Sequence, residues 1–169
     1  PDASADLPPQ APPLLREHRL YQADWLMRFY GFTHEEIIVP GTAGMLDLEV
    51  DPKLAWALAH REHFPVNLNR APKMWLLRVP GLGVRSVQRL LAARRVRLLR
   101  LADLQQLRVA TAKVLPFVET ADYHPQPATL ESPQLRQQLL TRMPTTAAQQ
   151  KHSGMQLPTR AQQAQLALF

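Results

Sequence analysis

The chain has 169 residues, no cysteine and a formal net charge of +6, which excludes disulfides, a thiolate nucleophile and cysteine-held iron–sulfur or zinc sites. No apolar run is long enough for a membrane span, and no secretion signal opens the chain, so we expect a cytoplasmic protein. Because the first residue is Pro1 and not Met, we also expect a processed chain or a fragment.

The charge is strongly segregated along the chain. Residues 1–69 carry ten acidic and five basic side chains, whereas residues 70–100 carry nine basic side chains and no acidic one. A positive field focused on one stretch is typical of nucleic-acid binding, although charge runs are more often simply solvated.

The N-terminal half is predicted to be helical after an extended arm. Residues 1–13 contain five prolines and little to bury, so we expect an extended segment. A helix is predicted from Leu14 to Tyr30, ending at Gly31. Three aromatic residues, Tyr21, Trp25 and Phe29, lie on one stripe of this helix, a pattern that usually faces the core.

Two further helix starts are marked by capping signals. Thr33 and Glu36 have the spacing of a capping box. Asp51 followed by Pro52 predicts an N-cap and a helix that runs to about His63, with Leu54, Ala57 and Leu58 inward. Before it, residues 46–50 alternate as a short extended piece. We interpret the acidic residues Asp47 and Glu49, with Asp51 directly after them, as a solvated face and not as catalytic groups.

His60 and His63 lie one turn apart and invite a metal-site interpretation. No third ligand with suitable spacing stands nearby, so we predict no metal site. No base is paired with a nucleophile either. We therefore expect no catalytic residue and no cofactor in this chain alone.

The most informative stretch is residues 76–91, LLRVPGLGVRSVQRLL. Two apolar helical segments flank the turn Pro80-Gly81-Leu82-Gly83, with Leu82 predicted inward and a helix beginning near Val84. The first amides of that helix would be unpaired and attract a phosphate oxygen. The predicted contact set is Lys73, Pro80, Gly81, Gly83, Val84, Arg85, Ser86 and Arg89. This stretch resembles the helix-hairpin-helix motif, and the alternative is an ordinary pair of helices that needs glycine to turn.

The residues around this turn resemble the tandem hairpin domains of bacterial competence DNA receptors. Asn69 is predicted to cap the first helix, and Met74 and Leu77 to face the core. Residues 98–118 predict a second, degenerate hairpin with a helix near residues 102–107, a turn at residues 108–110 and a helix from about Thr111. Longer-range attraction is expected from Arg78 and from the arginines of the following run, Arg94, Arg95, Arg97 and Arg100.

Four segments in order, residues 14–32, 51–72, the VPGLGVRSV hairpin and residues 112–118, resemble the C-terminal part of a bacterial family described as putative DNA modification or repair radical-SAM proteins. The resemblance covers roughly two-thirds of the chain. It implies the DNA-addressing end of a larger enzyme, whose catalytic iron–sulfur half is not in this sequence. On that view the helix at residues 14–30 would pack on a missing barrel and leave an apolar patch in isolation.

From His124 the composition changes to ten glutamines, several prolines and no Trp or Tyr. We predict disorder over residues 124–169, with one short helix around residues 132–142. The chain ends in Gln165-Leu166-Ala167-Leu168-Phe169, which resembles the Q-L-x-L-F peptide that binds the bacterial sliding clamp. The candidate clamp-binding residues are Gln165, Leu166, Leu168 and Phe169, unless the apolar end packs on its own domain.

The sequence thus predicts an all-α protein with a tandem helix-hairpin-helix, an N-terminal arm (1–13), a helical segment (14–63), a hairpin domain (64–123) and a disordered tail (124–169). The expected function is sequence-independent binding of the DNA phosphate backbone, with the sliding clamp as a further partner. Two alternatives remain: a protein-interaction scaffold, or a C-terminal subunit that completes a radical-SAM iron–sulfur enzyme supplied by another chain.

Overall fold

A computed structural model describes residues 14–38 and 43–142. Over these ranges the protein is mostly helical, which confirms the predicted class at the level of helix content. The α-helices are α1 (Leu14–Tyr30), α2 (His34–Ile37), α3 (Pro52–Ala59), α4 (Lys73–Arg78), α5 (Val84–Ala93), α6 (Leu101–Gln106), α7 (Thr111–Val114), α8 (Pro127–Glu131) and α9 (Leu135–Arg142). None of them is long and apolar enough to cross a membrane. The predicted extended arm lies outside the described residues.

Helices α2 and α3 begin where their capping signals predict. The Thr33 hydroxyl accepts from the Glu36 amide, and the Glu36 carboxylate accepts from the Thr33 amide, which is a complete capping box. Asp51 caps α3 through the Leu54 amide, with Pro52 at the first helical position. The helix ends earlier than predicted, at Ala59, and continues as one 3₁₀ turn over Arg61–His63.

The segment before α3 is not the short extended strand predicted there. Asp47 accepts hydrogen bonds from the amides of Glu49 and Val50, at 2.8 and 3.2 Å. An aspartate that satisfies the backbone two and three residues ahead forms a tight turn, which competes with strand pairing. The chain therefore reaches the α3 cap through a turn.

The first helix of the pair, α4, has a different N-cap from the predicted one. Pro72, and not Asn69, occupies the N-cap position of α4. Asn69 instead joins two distant segments, because its side chain accepts from the Leu99 amide at 2.7 Å and donates to the Leu99 carbonyl at 3.1 Å. Met74, predicted to face the core, is exposed, whereas Leu77 is buried as predicted.

The second helix pair forms close to its predicted position. Helix α6 spans Leu101–Gln106, and α7 begins at Thr111. Between them Arg108 takes a left-handed conformation with φ of 55°, a conformation that glycine would adopt with less strain. Two-residue strands, β1 (Val66–Asn67) and β2 (Val118–Glu119), pair in parallel and join the entrance of the first helix pair to the exit of the second.

A single hydrophobic cluster unites these elements. It includes Leu26 of α1, Leu54 of α3, Leu82 of the turn, Leu104 of α6 and Phe117. The predicted boundary between residues 63 and 64 therefore does not separate two cores.

The predicted short helix around residues 132–142 is present as α9, but the prediction of disorder for the rest of residues 124–142 is wrong. Residues 124–142 include α8 and α9, and Leu130, Leu135 and Leu139 join the core. Arg136 bonds both Asp47 and Glu49, each at 2.6 Å. The folded region thus extends at least to Arg142. Composition alone missed α8 and the burial of these leucines, which are widely spaced among glutamines.

Candidate nucleic-acid interface

The turn between α4 and α5 has the geometry that its glycines predict. Gly81 adopts φ of +85°, in the region that disfavours other residues. Leu82 is only 1% exposed and points into the core, as expected, while Gly83 lies in an extended conformation as the N-cap of α5. Pro80, a predicted contact residue, is buried.

A side chain at Gly81 would collide with the second helix pair. A Cβ at this position would lie 2.8 Å from Cγ2 of Val114 in α7, closer than real contacts allow. At Gly83 the nearest neighbour of such an atom, the Tyr30 hydroxyl, lies at an ordinary 3.7 Å. A side chain is therefore excluded at Gly81 and tolerated at Gly83, although the Gly81 backbone is exposed and borders the same cavity as Gly83.

The start of α5 leaves amide groups unpaired. The first internal hydrogen bond runs from the Val87 amide to the Gly83 carbonyl at 2.9 Å, and no side chain caps this end. Within residues 14–38 and 43–142, the amides of Arg85 and Ser86 have no backbone acceptor. The Val84 amide faces the Tyr30 hydroxyl. This helix end therefore carries partial positive charge without an internal acceptor for each amide.

Exposed cations lie on both helices of this pair. Arg85 and Arg89 are exposed on α5 and lie one turn apart, with Ser86 half-buried between them. Lys73, at the start of α4, is exposed as well. In the part of the chain that the structure describes, none of these three cations forms an ion pair.

Three arginines of the predicted cationic field serve the fold. Arg78 is buried and holds the Glu36 carboxylate at 2.7 Å, so its prediction as a source of long-range attraction is wrong. Arg94 donates to the carbonyls of Leu68 and Ala71, at 3.3 and 2.6 Å. Arg97 pairs with the buried carboxylate of Asp103. Arg95 and Arg100 remain exposed.

A cavity of about 550 Å³ opens beside the turn. Among the residues that line it are Tyr21, Trp25, Tyr30, Lys53, Gly83 and Lys113. Lys53 is 7% exposed and donates to the Leu82 carbonyl at 2.6 Å, and its ammonium lies 4.6 Å from the centre of the Tyr30 ring. Sequence reasoning missed these lysines, and the only signal was a lone lysine in the apolar run that follows Pro52.

Three ionisable groups that line the cavity have shifted pKa values. Burial lowers the pKa of Lys53 to about 7, against a smaller opposing effect of Asp51. Burial by itself would raise the pKa of Asp51, but the ion pair with Lys113 and the Leu54 amide outweigh it, so the pKa is lowered. Burial raises the pKa of Tyr30, partly offset by the Val84 amide. The Asp51 charge is thus balanced by Lys113, and Lys53 is the second cation of the cavity.

The histidine pair has an aromatic role in the structure. The ring of His60 stacks on Trp56 with centroids 4.7 Å apart, and His63 lies 4.9 Å from Trp75. In residues 14–38 and 43–142 no group of three potential ligands could hold a metal ion. The acidic residues considered above, Asp47, Glu49 and Asp51, likewise act in turns, caps and ion pairs.

The prediction that the aromatic stripe of α1 faces the core is wrong. Tyr21, Trp25 and Phe29 are 44%, 37% and 44% exposed. Burial on α1 falls instead on Arg19, Ala23 and Leu26, because the Arg19 guanidinium bonds the Leu48 and Glu49 carbonyls. The candidate clamp peptide at residues 165–169 lies outside the described residues.

Comparison of the chain with protein-family models, with curated proteins and with solved structures finds no match.

Proposed function

We propose that the protein binds the sugar–phosphate backbone of DNA without reading bases, using α4, the turn and α5 as a helix-hairpin-helix. The observation that carries the proposal is the unpaired amide end of α5 beside the exposed Arg85 and Arg89. It lies in a stretch of 31 residues, 70–100, that contains no acidic residue.

Two weak attractions act together on a phosphate at the start of α5. Amide groups at a helix start, together with the helix dipole, favour an anion at that end. Arginine donates planar, charge-assisted hydrogen bonds to phosphate oxygens. Phosphate contacts of this kind position a protein on DNA but carry no sequence information. The expected binding is therefore indifferent to sequence and strongly salt-dependent.

A salt titration against a short duplex tests the proposal. Affinity should fall roughly ten- to a thousandfold between 50 and 200 mM salt if a handful of phosphates is neutralised. The double variant Arg85→Ala/Arg89→Ala should bind less tightly, with the slope of log K against log salt reduced by about two.

A matched control exists on the other side of α1. Arg16→Ala/Arg28→Ala removes the same charge from exposed positions, one of which is paired with Asp24. This control should keep the salt slope of the wild type. Equal losses in the two double variants would reduce the proposal to general charge attraction, and salt-independent binding would refute it.

A second candidate function, a protein-interaction scaffold or a subunit completing a radical-SAM enzyme, is favoured by an apolar groove on the other side of α1. Leu20, Met27, Met45 and Leu48 line it and are exposed. A stable complex with a cysteine-rich iron–sulfur protein, lost in Leu20→Asp/Met27→Asp, would support this function. The DNA proposal expects that variant to retain duplex binding.

We propose separately that the C-terminal peptide tethers the protein to the DNA sliding clamp. The support is the sequence pattern alone, with Gln165, Leu166, Leu168 and Phe169 in the matching positions. A short apolar motif can dock in a small groove and raise the local concentration at DNA. Leu168→Ala/Phe169→Ala should abolish capture by an immobilised clamp, whereas undiminished capture would reject the peptide.

A further inference from the structure

Two exposed aromatic rings border the charged cavity beside the turn. Tyr21 and Trp25 line it from α1, with ring centroids 6.1 Å apart and 30° between their planes. Phe29 extends the aromatic row beyond the cavity, 4.2 Å from Trp25. Flat exposed rings offer stacking surface to a nucleobase irrespective of its identity.

Lys53 lines the same cavity and has hydrogen-bond donors that find no oxygen acceptor among the described residues. Lys53 is nine-tenths buried and donates to one acceptor, the Leu82 carbonyl. Over the described ranges its other N–H bonds have no acceptor and it forms no ion pair, since Asp51 pairs with Lys113. A buried ammonium with free donors is complementary to an anionic ligand group.

Gly83, the N-cap of α5, borders the same cavity. The N-cap of α5, a buried ammonium and an aromatic wall therefore border one space of about 550 Å³. A nucleotide is the ligand that joins an anion to a flat ring at this scale. An apolar protein surface fits poorly, because it offers no acceptor for the remaining N–H bonds of Lys53.

We infer that this cavity receives one unpaired nucleotide of DNA, with its phosphate toward Lys53 and the start of α5 and its base against Tyr21 and Trp25. The inference rests on the proposed DNA binding and adds to it the kind of DNA preferred: a duplex carrying an unpaired or extruded base. The arginines of α5 would hold the flanking backbone.

The test compares two labelled duplexes, one perfectly paired and one with a single unpaired thymidine, by fluorescence anisotropy. The wild type should bind the bulged duplex about tenfold more tightly, the scale of one base–aromatic stack. Tyr21→Ala/Trp25→Ala should lose that preference while its affinity for the paired duplex stays. Leu20→Ala/Met27→Ala, two exposed apolar residues on the other side of α1, should keep it, and Trp25→Phe should retain most of it.

The remaining outcomes would overturn either the inference about the unpaired nucleotide or the proposed DNA binding as well. Equal binding of both duplexes by the wild type overturns the inference and leaves the proposed function standing, whereas binding of neither overturns both. Trp25 protected from acrylamide in the free protein, or a dimer that Tyr21→Ala/Trp25→Ala dissociates, would show that another part of the chain or a second copy covers the aromatic wall. Thermal melts should show all variants folded, because the substituted side chains are exposed.

Discussion

The ammonium of Lys53 in α3 donates a 2.6 Å hydrogen bond to the carbonyl of Leu82 in the turn between α4 and α5. This bond joins the N-terminal helices to the segment proposed to contact DNA. It directs a turn carbonyl toward the protein interior and leaves the amides at the start of α5 for an external acceptor. The cost is a buried cation, and that cost depends on pH.

Lys53 should make stability rise with pH above neutrality. Burial lowers its pKa from 10.5 to about 7, while Asp51 favours and Lys113 and Arg78 oppose the charged form. Between pH 7 and 9 the unfolded chain therefore binds a proton that the folded chain has released. The free energy of unfolding should gain up to about 1.4 kcal/mol per pH unit from this group. Below pH 7 the penalty is fully present.

Urea unfolding at pH 7, 8 and 9 measures this slope. Lys53→Met should remove it, and Lys73→Met, at an exposed lysine, should leave it unchanged. Titration of all other groups is common to the three proteins, so the difference isolates Lys53. Parallel slopes in wild type and Lys53→Met would show that the amine keeps an ordinary pKa in the folded state.

The two glycines of the turn should respond oppositely to alanine. Gly81→Ala places a side chain at φ of +85° and 2.8 Å from Val114, which should cost about 2–4 kcal/mol of stability. Gly83→Ala meets only the Tyr30 hydroxyl at 3.7 Å and should cost under about 1 kcal/mol. Chemical denaturation of the two variants decides, and comparable costs would contradict the packing assigned to Gly81.

The choice of glycine variant matters for a test of DNA binding. A loss of binding in Gly81→Ala would mix misfolding with loss of contact. Gly83→Leu separates them better, because Gly83 has an ordinary conformation and lies at the cavity. Gly83→Leu should remain folded and bind duplex DNA several-fold more weakly, and unchanged binding would exclude the start of α5 as the contact.

Arg78 should matter for folding and not for DNA. Its guanidinium binds both Glu36 oxygens, at 2.7 and 3.0 Å, and lies 4.8 Å from the Phe32 ring centre. Arg78→Gln should destabilise the protein by about 3 kcal/mol, because the partner carboxylate loses its cation in a largely buried position. Arg70→Gln, at an exposed position, is the matched control. A DNA defect in folded Arg78→Gln, with unchanged stability, would reverse this assignment.

Local signals in the sequence predicted the helix starts well. The Thr33–Glu36 capping box, the Asp51 cap and the glycine turn before Val84 depend on residues within four positions of one another. Their physics is complete inside that window, so the sequence contains all the information needed.

The misassigned cations depend on partners far along the chain. Arg78 finds Glu36 across 42 positions and Arg94 finds the Leu68 carbonyl across 26. The neighbouring sequence does not distinguish a cation that serves the fold from one that is free. Counting charges therefore overestimated the positive field around the turn. The cavity at Lys53 was hidden for the same reason, since α1, α3 and α7 meet there only after folding.

The C-terminal helices provide the last prediction, because composition and structure disagree most there. Leu139 in α9 is 2% exposed, although it follows a stretch rich in glutamine. Leu139→Ala should lower the free energy of unfolding by about 2–4 kcal/mol through lost burial and a residual cavity. Gln138→Ala, at the exposed neighbouring position, should change it by less than about 0.5 kcal/mol. Urea denaturation followed by circular dichroism measures both. If Leu139→Ala unfolds at the wild-type midpoint, α9 is not part of the cooperative unit.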